Sequence, residues 1–374
     1  MNKINVIDGC CAAVGRVAAS GRKSKIVRKT AADVGFLAAI DAEIAELRHR
    51  QCFGRVNGYT SARRSFERFL AESGCGAYDY DGCCNHKNSG KSAFSCSVSA
   101  DACASTEDNS RADVRLSDVT AALIREYERW LRGNGVTRNT MSFYMRELRA
   151  VFNRAARKYG LVVENPFADV YTGNDRTAKR NITRATVQQI INLDLSRRKG
   201  LSFARDMFLF SLLARGMPFV DIAYLRWSDI RGRTLTYCRH KTGQPIKLSL
   251  EPQALAIIER WHVPGSDLVF PILDAALDGA QMYRQYRSAL SLHNKRLRQI
   301  SELVGGDVHL TSYVARHTWA TLAWECEIPL SEISVALGHT SERTTRNYLD
   351  MMENSRLDRH CRRVVRKFRF NSTQ

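Results

Sequence analysis

The stretch Thr137–Tyr159 (TRNTMSFYMRELRAVFNRAARKY) carries apolar side chains at Met141, Tyr144, Met145, Leu148, Val151, Phe152 and Ala155. Spacings of three and four residues line one face of a helix and cannot line one face of a strand, whose period is two. A stripe this long is hidden only by packing against other helices. Arg138, Arg146, Arg149, Arg154, Arg157 and Lys158 occupy the remaining faces. Those cations either form a solvated surface or follow the phosphates of a polyanion.

Neighbouring segments repeat the pattern. Phe36, Leu37, Ile40, Ile44 and Leu47 share a helix face, and Tyr59–Ala71, opened by Thr60 or Ser61, and Leu116–Leu131 read as helices. Residues 73–111 are rich in Ser, Gly, Asp, Asn and Cys and lack aliphatic periodicity. Their apolar surface is too small to offset the entropy of ordering, so a mobile insertion is expected. Asn165-Pro166-Phe167 closes the helical module, and Asp169–Arg180 reads as an exposed linker. Beyond it, helices are expected from Thr186, over the buried Leu201–Ala214, and over Gln253–His262, Met282–Val304, Ser312–Glu325, Ser331–Leu337 and Ser341–Met351. Arg231–Leu250 alternates instead and contains Lys-Thr-Gly-Gln, a β-hairpin turning at Thr242-Gly243. The expected fold is mainly α with a small antiparallel β-sheet. Its expected parts are a basic, poorly ordered N-terminus (1–32), a helical domain (33–170) with the insertion 73–111, a second domain (171–355) and a basic tail (356–374).

Fifty-seven Lys and Arg against thirty-eight Asp and Glu give a formal net charge of +19. Such an excess favours a polyanionic partner, most commonly nucleic acid, over a merely basic surface. Basic residues cluster in Arg22–Lys29 and Arg356–Arg369. The longest apolar run, Met207–Ala214, falls far short of the roughly 20 residues that span a bilayer, so no membrane partner is expected. The N-terminus shows no apolar h-region, so no signal peptide is read and the expected location is the cytoplasm. Eleven cysteines include Cys75, Cys83, Cys84, Cys96 and Cys103, near His86 but without a repeated C-x2-C pair. Reduced thiols are expected there, and no metal. The chain has no HExxH and no phosphate-cradling G-x-x-x-x-G-K, so no cofactor is expected.

Near the carboxyl end, LGHTSERTTRNYLD (Leu337–Asp350) sets His339 nine residues before Tyr348 on a short helix–turn–helix frame. Upstream lies ARHTWAT, Ala315–Thr321. Arg-His-Thr-hydrophobic-Ala-Thr, then Leu-Gly-His, then Tyr closely resembles the active-site region of tyrosine recombinases, the phage integrase family. NTMSFYMRELRAVFNRA and ENPF resemble that family's core-binding domain. The likeness covers most of the chain outside residues 1–30 and 73–111. It implies a helical SAM-like core-binding domain and a tyrosine recombinase catalytic domain, together forming a C-shaped clamp around double-stranded DNA. It further implies a homotetramer on paired sites, Met351–Phe370 docking on a neighbour, and accessory DNA-bending proteins. Arg138, Arg146, Arg149, Arg154 and Lys158 then become the expected DNA contacts.

The implied reaction is site-specific recombination, whether integration, excision or inversion. A tyrosine hydroxyl attacks a phosphodiester, leaving a 3′-phosphotyrosyl link and a 5′-hydroxyl that attacks a second such link. A phenol with a pKa of about 10 is a poor nucleophile unless nearby cations favour the phenolate. Charge growing on the non-bridging oxygens calls for preorganised donors, and guanidinium forks suit phosphate well. The resemblance makes Tyr348 the nucleophile, Arg316 the main phosphate clamp, and His339 a hydrogen-bond partner of the phosphate or the nucleophile. Lys241, with Lys247 as fallback, becomes the acid for the leaving 5′-oxygen. Ordinary surface, turn and packing roles are the plainer readings of each.

Two positions depart from the family pattern. Where a histidine usually precedes the second arginine by three residues, the chain has Tyr313, a hydrogen-bond donor but a weak proton acceptor. His317 points to another helix face. The first arginine's usual position falls on Pro218, and Arg215 one turn earlier is the expected substitute, with Asp221 structural. Similar RGM-x-F-V-D and TSYVARH versions occur in the mobile-element branch from anaerobic Gram-negative bacteria. Two competing readings are a type IB topoisomerase-like nicking–closing enzyme and a catalytically inactive DNA-binding regulator on the same fold.

Overall fold

The computed structural model describes residues 34–73, 113–175, 181–305 and 309–349. The expected N-terminus 1–32, the insertion apart from Ser73, and the tail 356–374 lie outside the described residues. Contacts divide the chain into two compact units, Met1–Glu46 with Gly54–Asn174, and Leu47–Phe53 with Asp175–Gln374.

In the first unit, helices α1 (Phe36–His49), α2 (Phe53–Ser73), α3 (Ala121–Gly133) and α4 (Arg138–Tyr159) enclose an aromatic core. α4 has the expected limits because both ends are capped. The Thr137 hydroxyl accepts from the Thr140 amide, and Gly160 takes the left-handed conformation at φ 67°. Its buried face is Met141, Met145, Leu148, Val151, Phe152 and Ala155. Phe66 meets Phe36 edge-on at 5.6 Å and Tyr127 at 5.1 Å, while the Tyr127 hydroxyl donates to Ser65 Oγ at 2.8 Å.

The segment that follows residues 74–112 is tied to the start of α1. Phe36 N donates to Val114 O at 2.7 Å and Leu116 N to Val34 O at 2.9 Å. The Asp113 carboxylate caps α1 by accepting from the amides of Leu37 (2.8 Å) and Ala38 (3.1 Å). Two helix starts differ from expectation. Leu116–Asp118 is a 3-10 turn and α3 starts only after Thr120, whose hydroxyl accepts from Leu123 N at 3.3 Å. α2 starts at Phe53, ahead of Tyr59, because Val56 already has a buried place in the packing.

The second unit contains α5 (Arg184–Asn192), α6 (Lys199–Leu213), α7 (Phe219–Ala223), β1 (Ile230–Arg231), β2 (Thr234–Cys238), β3 (Pro245–Ser249) and α8 (Pro252–Trp261). α9 (Gly279–Leu303), α10 (Val314–Glu325), α11 (Leu330–Ala336) and α12 (Glu342–Leu349) follow. The hairpin is joined by β1 into an antiparallel sheet of order β1-β2-β3, with Leu235 opposite Leu248 and Tyr237 opposite Ile246. Those four inward residues pack with α6, α7, α8 and Phe270 into one apolar core. Each such side chain contributes about 1.5–3 kcal/mol by leaving water. A second cluster joins α5, α6, α9 and α10, and a third joins α10 to α11. No helix among the described residues is long and apolar enough to cross a membrane.

Candidate active site

Arg316 lies in the first turn of α10 and is 1% exposed, the largest of the fully buried side chains. Its Nη1 donates to Gly216 O at 2.9 Å, and its Nη2 to Leu337 O and to His339 Nε2, the latter at 3.1 Å. A guanidinium has donors only, so Nε2 of His339 must accept. The ring's proton therefore sits on Nδ1, which donates to Thr345 Oγ1 at 2.8 Å. Burial, and then the charges of Arg316, Arg239 and Lys241, hold the His339 pKa down to about 4. The imidazole is neutral at pH 7. Thr345 is fully buried on α12, and Tyr348 follows it by three residues, on the adjoining helix face. The backbone of Tyr348 belongs to α12; its side chain lies outside the described residues.

The turn leaving α6 shapes the opposite wall. Arg215 (φ 58°) and Gly216 (φ 71°) are consecutive left-handed residues. Ser211 ties the turn, its carbonyl accepting from Gly216 N at 2.8 Å and its hydroxyl donating to Met217 O at 2.7 Å. A Cβ on Gly216 would lie 2.9 Å from Arg316 Cα, so glycine is required for closeness as well as conformation. Arg215 has no Cβ-free escape; its left-handed backbone costs about 1–2 kcal/mol. Strain of this kind collects where the surrounding structure dictates geometry.

The third wall is the β2–β3 turn. Leu235, Tyr237 and Arg239 continue one inward register, so the Arg239 guanidinium enters the unit, 5% exposed. Its Nη1 donates to Gly338 O at 2.8 Å, an oxygen that also accepts from Thr242 Oγ1 at 3.4 Å. Gly338 is left-handed at φ 61°, and a Cβ there would meet Ile246 Cδ1 at 2.7 Å and Arg239 Cδ at 3.2 Å. Arg316 and Arg239 thus hold the consecutive carbonyls of Leu337 and Gly338, immediately before His339. Buried Asp221 on α7 accepts the His240 amide at 2.9 Å and so anchors the turn. Burial raises its carboxyl pKa, opposed by that amide and the charges of Arg239, His240 and Arg316. Lys241 is exposed at the tip, and Lys247 is exposed on β3.

Residues 180–354 match the model of the phage integrase family, and residues 35–175 match that of the phage integrase SAM-like domain. The chain belongs to the phage integrase family. It is a tyrosine site-specific recombinase, mainly helical with a small antiparallel sheet, built from a SAM-like domain and an integrase catalytic domain. Two solved structures share the fold. A lambda integrase dimer bound to a COC′ core site has TM-score 0.52 and 18% identity, over 84% of this chain and 77% of that one. A Tn1549 transposon integrase in complex with transposon right end DNA has TM-score 0.51 and 14% identity, over 84% of this chain and 94% of that one. No curated protein sequence matches the chain.

Of the expected site residues in this family member, Arg316 and His339 are in direct contact. Lys241 is near enough for its charge to depress the His339 pKa. Arg215 is half-buried at the α6 turn and makes no hydrogen bond or ion pair among the described residues. Tyr313 precedes α10, is 43% exposed, and meets the His317 ring edge-on at 5.2 Å. Arg239 and Thr345 were not expected. Arg239 was legible as the next inward position of a period-two strand, whereas nothing local marked Thr345 as the partner of His339.

In the first unit, the expected DNA-facing cations on α4 are largely engaged with protein. Arg138 stacks 3.9 Å above the Tyr171 ring. Arg146 Nη1 reaches Asn174 Oδ1 at 2.9 Å and the carbonyls of Thr172 and Gly173 at 3.2 Å, and Arg149 Nη1 reaches Thr172 Oγ1 at 3.4 Å. Arg154 donates to the Tyr59 hydroxyl at 2.7 Å and pairs with Glu43 at 3.0 Å. Lys158 is exposed, its ammonium 5.4 Å from the Tyr159 ring.

Proposed function

We propose that this recombinase cuts and rejoins double-stranded DNA through Tyr348, with Arg316, His339 and Lys241 as its principal partners. The tyrosyl O–P bond forms as the P–O5′ bond breaks; the phenolic proton is lost to water and Lys241 supplies one to the 5′-oxygen. Arg316 clamps the phosphate, and His339 bonds the phosphate or the nucleophile. Tyr313 stands in for the family's histidine, and Arg215, one turn before Pro218, is the candidate that the sequence offers for the family's first arginine. The observation that carries this reading is the Arg316–His339–Thr345 chain of hydrogen bonds, which ends one helical turn from Tyr348.

Further parts of the proposal rest on resemblance. The enzyme acts in the cytoplasm as a homotetramer on paired sites, aided by DNA-bending proteins, in integration, excision or inversion. The Arg215-Gly216-Met217 turn and Tyr313 favour the mobile-element branch from anaerobic Gram-negative bacteria. Residues 33–170 form the core-binding domain, residues 171–355 the catalytic domain, and the tail 356–374 meets a neighbouring subunit or phosphate. Arg138, Arg146, Arg149, Arg154 and Lys158 are the candidate DNA contacts of α4, and Arg138 and Lys158 are the exposed ones among them.

A suicide duplex nicked beside the scissile phosphate tests the central claim. Wild-type protein forms a covalent protein–DNA adduct and Tyr348→Phe forms none. Pro218 and the exposure of Tyr313 favour a regulator that only binds DNA, and that reading requires no adduct from either protein. Adducts without exchange between two sites would instead mark a nicking–closing enzyme.

A further inference from the structure

Two guanidinium groups are wanted to meet the two non-bridging oxygens of the scissile phosphate, and Pro218 cannot supply one. We propose that Arg239, from the β2–β3 turn, is the second phosphate-binding guanidinium of this active site. The inference rests on the recombinase reading above and departs from it in preferring Arg239 to Arg215.

The geometry that carries it is the shared turn. Arg316 and Arg239 approach Leu337-Gly338-His339 from different elements, α10 and the hairpin, and bond its successive carbonyls. Two guanidinium groups thereby converge where His339 begins. Arg239 uses Nη1 on Gly338 O, while its Nε is buried without a hydrogen-bond partner among the described residues. Oδ2 of Asp221 is likewise buried without a partner. A buried guanidinium with spare donors and, among the described residues, no carboxylate within salt-bridge distance is an anion site in waiting, because desolvated charge is stable only when compensated. Asp221, through the His240 amide, holds the turn on which Arg239 and Lys241 sit two residues apart. That turn would present a phosphate clamp and a proton donor to one phosphate together.

Arg215 is less suited. It makes no hydrogen bond to the 337–339 turn among the described residues. The charges that depress the His339 pKa, after burial, are those of Arg316, Arg239 and Lys241, and not that of Arg215.

The test compares two nicked suicide duplexes, one with an ordinary scissile phosphodiester and one with a methylphosphonate there. Replacing a non-bridging oxygen by methyl removes the negative charge that the second guanidinium neutralises. Each variant is scored by its ratio of cleavage rates on the two substrates, so that any unfolded fraction cancels. Loss of one transition-state donor costs about 10²–10³-fold in rate. Arg239→Ala is expected to lose that much on phosphodiester and far less on methylphosphonate, with Arg239→Lys between it and wild type. Arg215→Ala is expected to keep the wild-type ratio. Equal losses on both substrates would reduce Arg239 to a positioning residue, and overturn the proposal. A shifted ratio in Arg215→Ala but not in Arg239→Ala would overturn it in favour of Arg215, and unimpaired cleavage by Arg239→Ala would also end it. Absence of any adduct from wild-type protein would sink the recombinase chemistry itself, a distinguishable failure.

Discussion

Thr345→Val keeps side-chain shape at a fully buried position and deletes the hydroxyl to which His339 Nδ1 donates. With Nε2 held as acceptor by Arg316, the neutral ring cannot simply change tautomer, because a second donor would then face the guanidinium. The imidazole then loses the Thr345 acceptor of its Nδ1–H, or rotates away from Arg316. An unsatisfied buried donor costs about 1–3 kcal/mol. For a domain of this size, each kcal/mol lowers Tm by about 2–4 °C. His339 is half-buried, so the lower half of that range is expected, with Tm falling by a few degrees. The loss should be larger in catalysis, since the bond spans the gap between the Arg316–His339 pair and the helix that bears Tyr348. Differential scanning fluorimetry and adduct formation on the nicked duplex are the assays, with filter binding for DNA affinity. Adduct formation is expected to fall by about tenfold or more, as 1.4 kcal/mol corresponds to tenfold, while affinity holds and Thr345→Ser restores both. If Thr345→Val matches wild type in Tm and in cleavage, the hydrogen-bond chain does not organise the site.

Gly216→Ala introduces a Cβ 2.9 Å from the Arg316 backbone at a φ of 71°, so a Tm drop and loss of adduct are expected; unchanged cleavage would show that the Arg316 wall can yield. Arg154→Ala should lower the stability of the first unit, by about 1 kcal/mol for its partly exposed ion pair and tyrosine bond, more than it changes the salt dependence of DNA binding. Lys158→Ala should do the reverse, reducing the slope of log K against log salt by about one; equal slopes for the two variants would count against this division. Stability should also fall on acidification. Burial, then Arg296, holds the His293 pKa down to about 3, and that of His339 is about 4, both below the usual 6.5. The unfolded chain binds protons the folded one refuses, so stability is intact above pH 6.5 and declines towards pH 3–4, at up to about 1.4 kcal/mol per unit per group. His293 carries the larger share because His339 is half exposed. His293→Phe should flatten urea unfolding between pH 6.5 and 4; an unaltered slope would contradict the burial argument.

Local chemistry made much of the chain readable in advance. α4 ended where Thr137 and Gly160 required, and the alternation in Arg231–Leu250 foretold strands that bury Leu235, Tyr237, Ile246 and Leu248. The start of α3 was misjudged because the apolar pattern runs through Leu116 and Val119, whereas the helix waits for the hydroxyl of Thr120. The third strand, β1, is two residues long and has no period to read.

Sequence alone determined which segments are helical, which face of each is apolar, and that Arg316, His339 and Tyr348 belong to one motif. Helix and apolar face follow from neighbours a few residues apart, whose spacing is the information; the motif rests on its resemblance to the family. Only the tertiary structure decided that Arg316 is wholly buried, that Arg239 lies against Gly338, and that His339 is neutral with its proton directed at Thr345. Those facts depend on burial and on charges brought together across about a hundred residues of chain, and desolvation and Coulomb forces act through space, without regard to position along the chain.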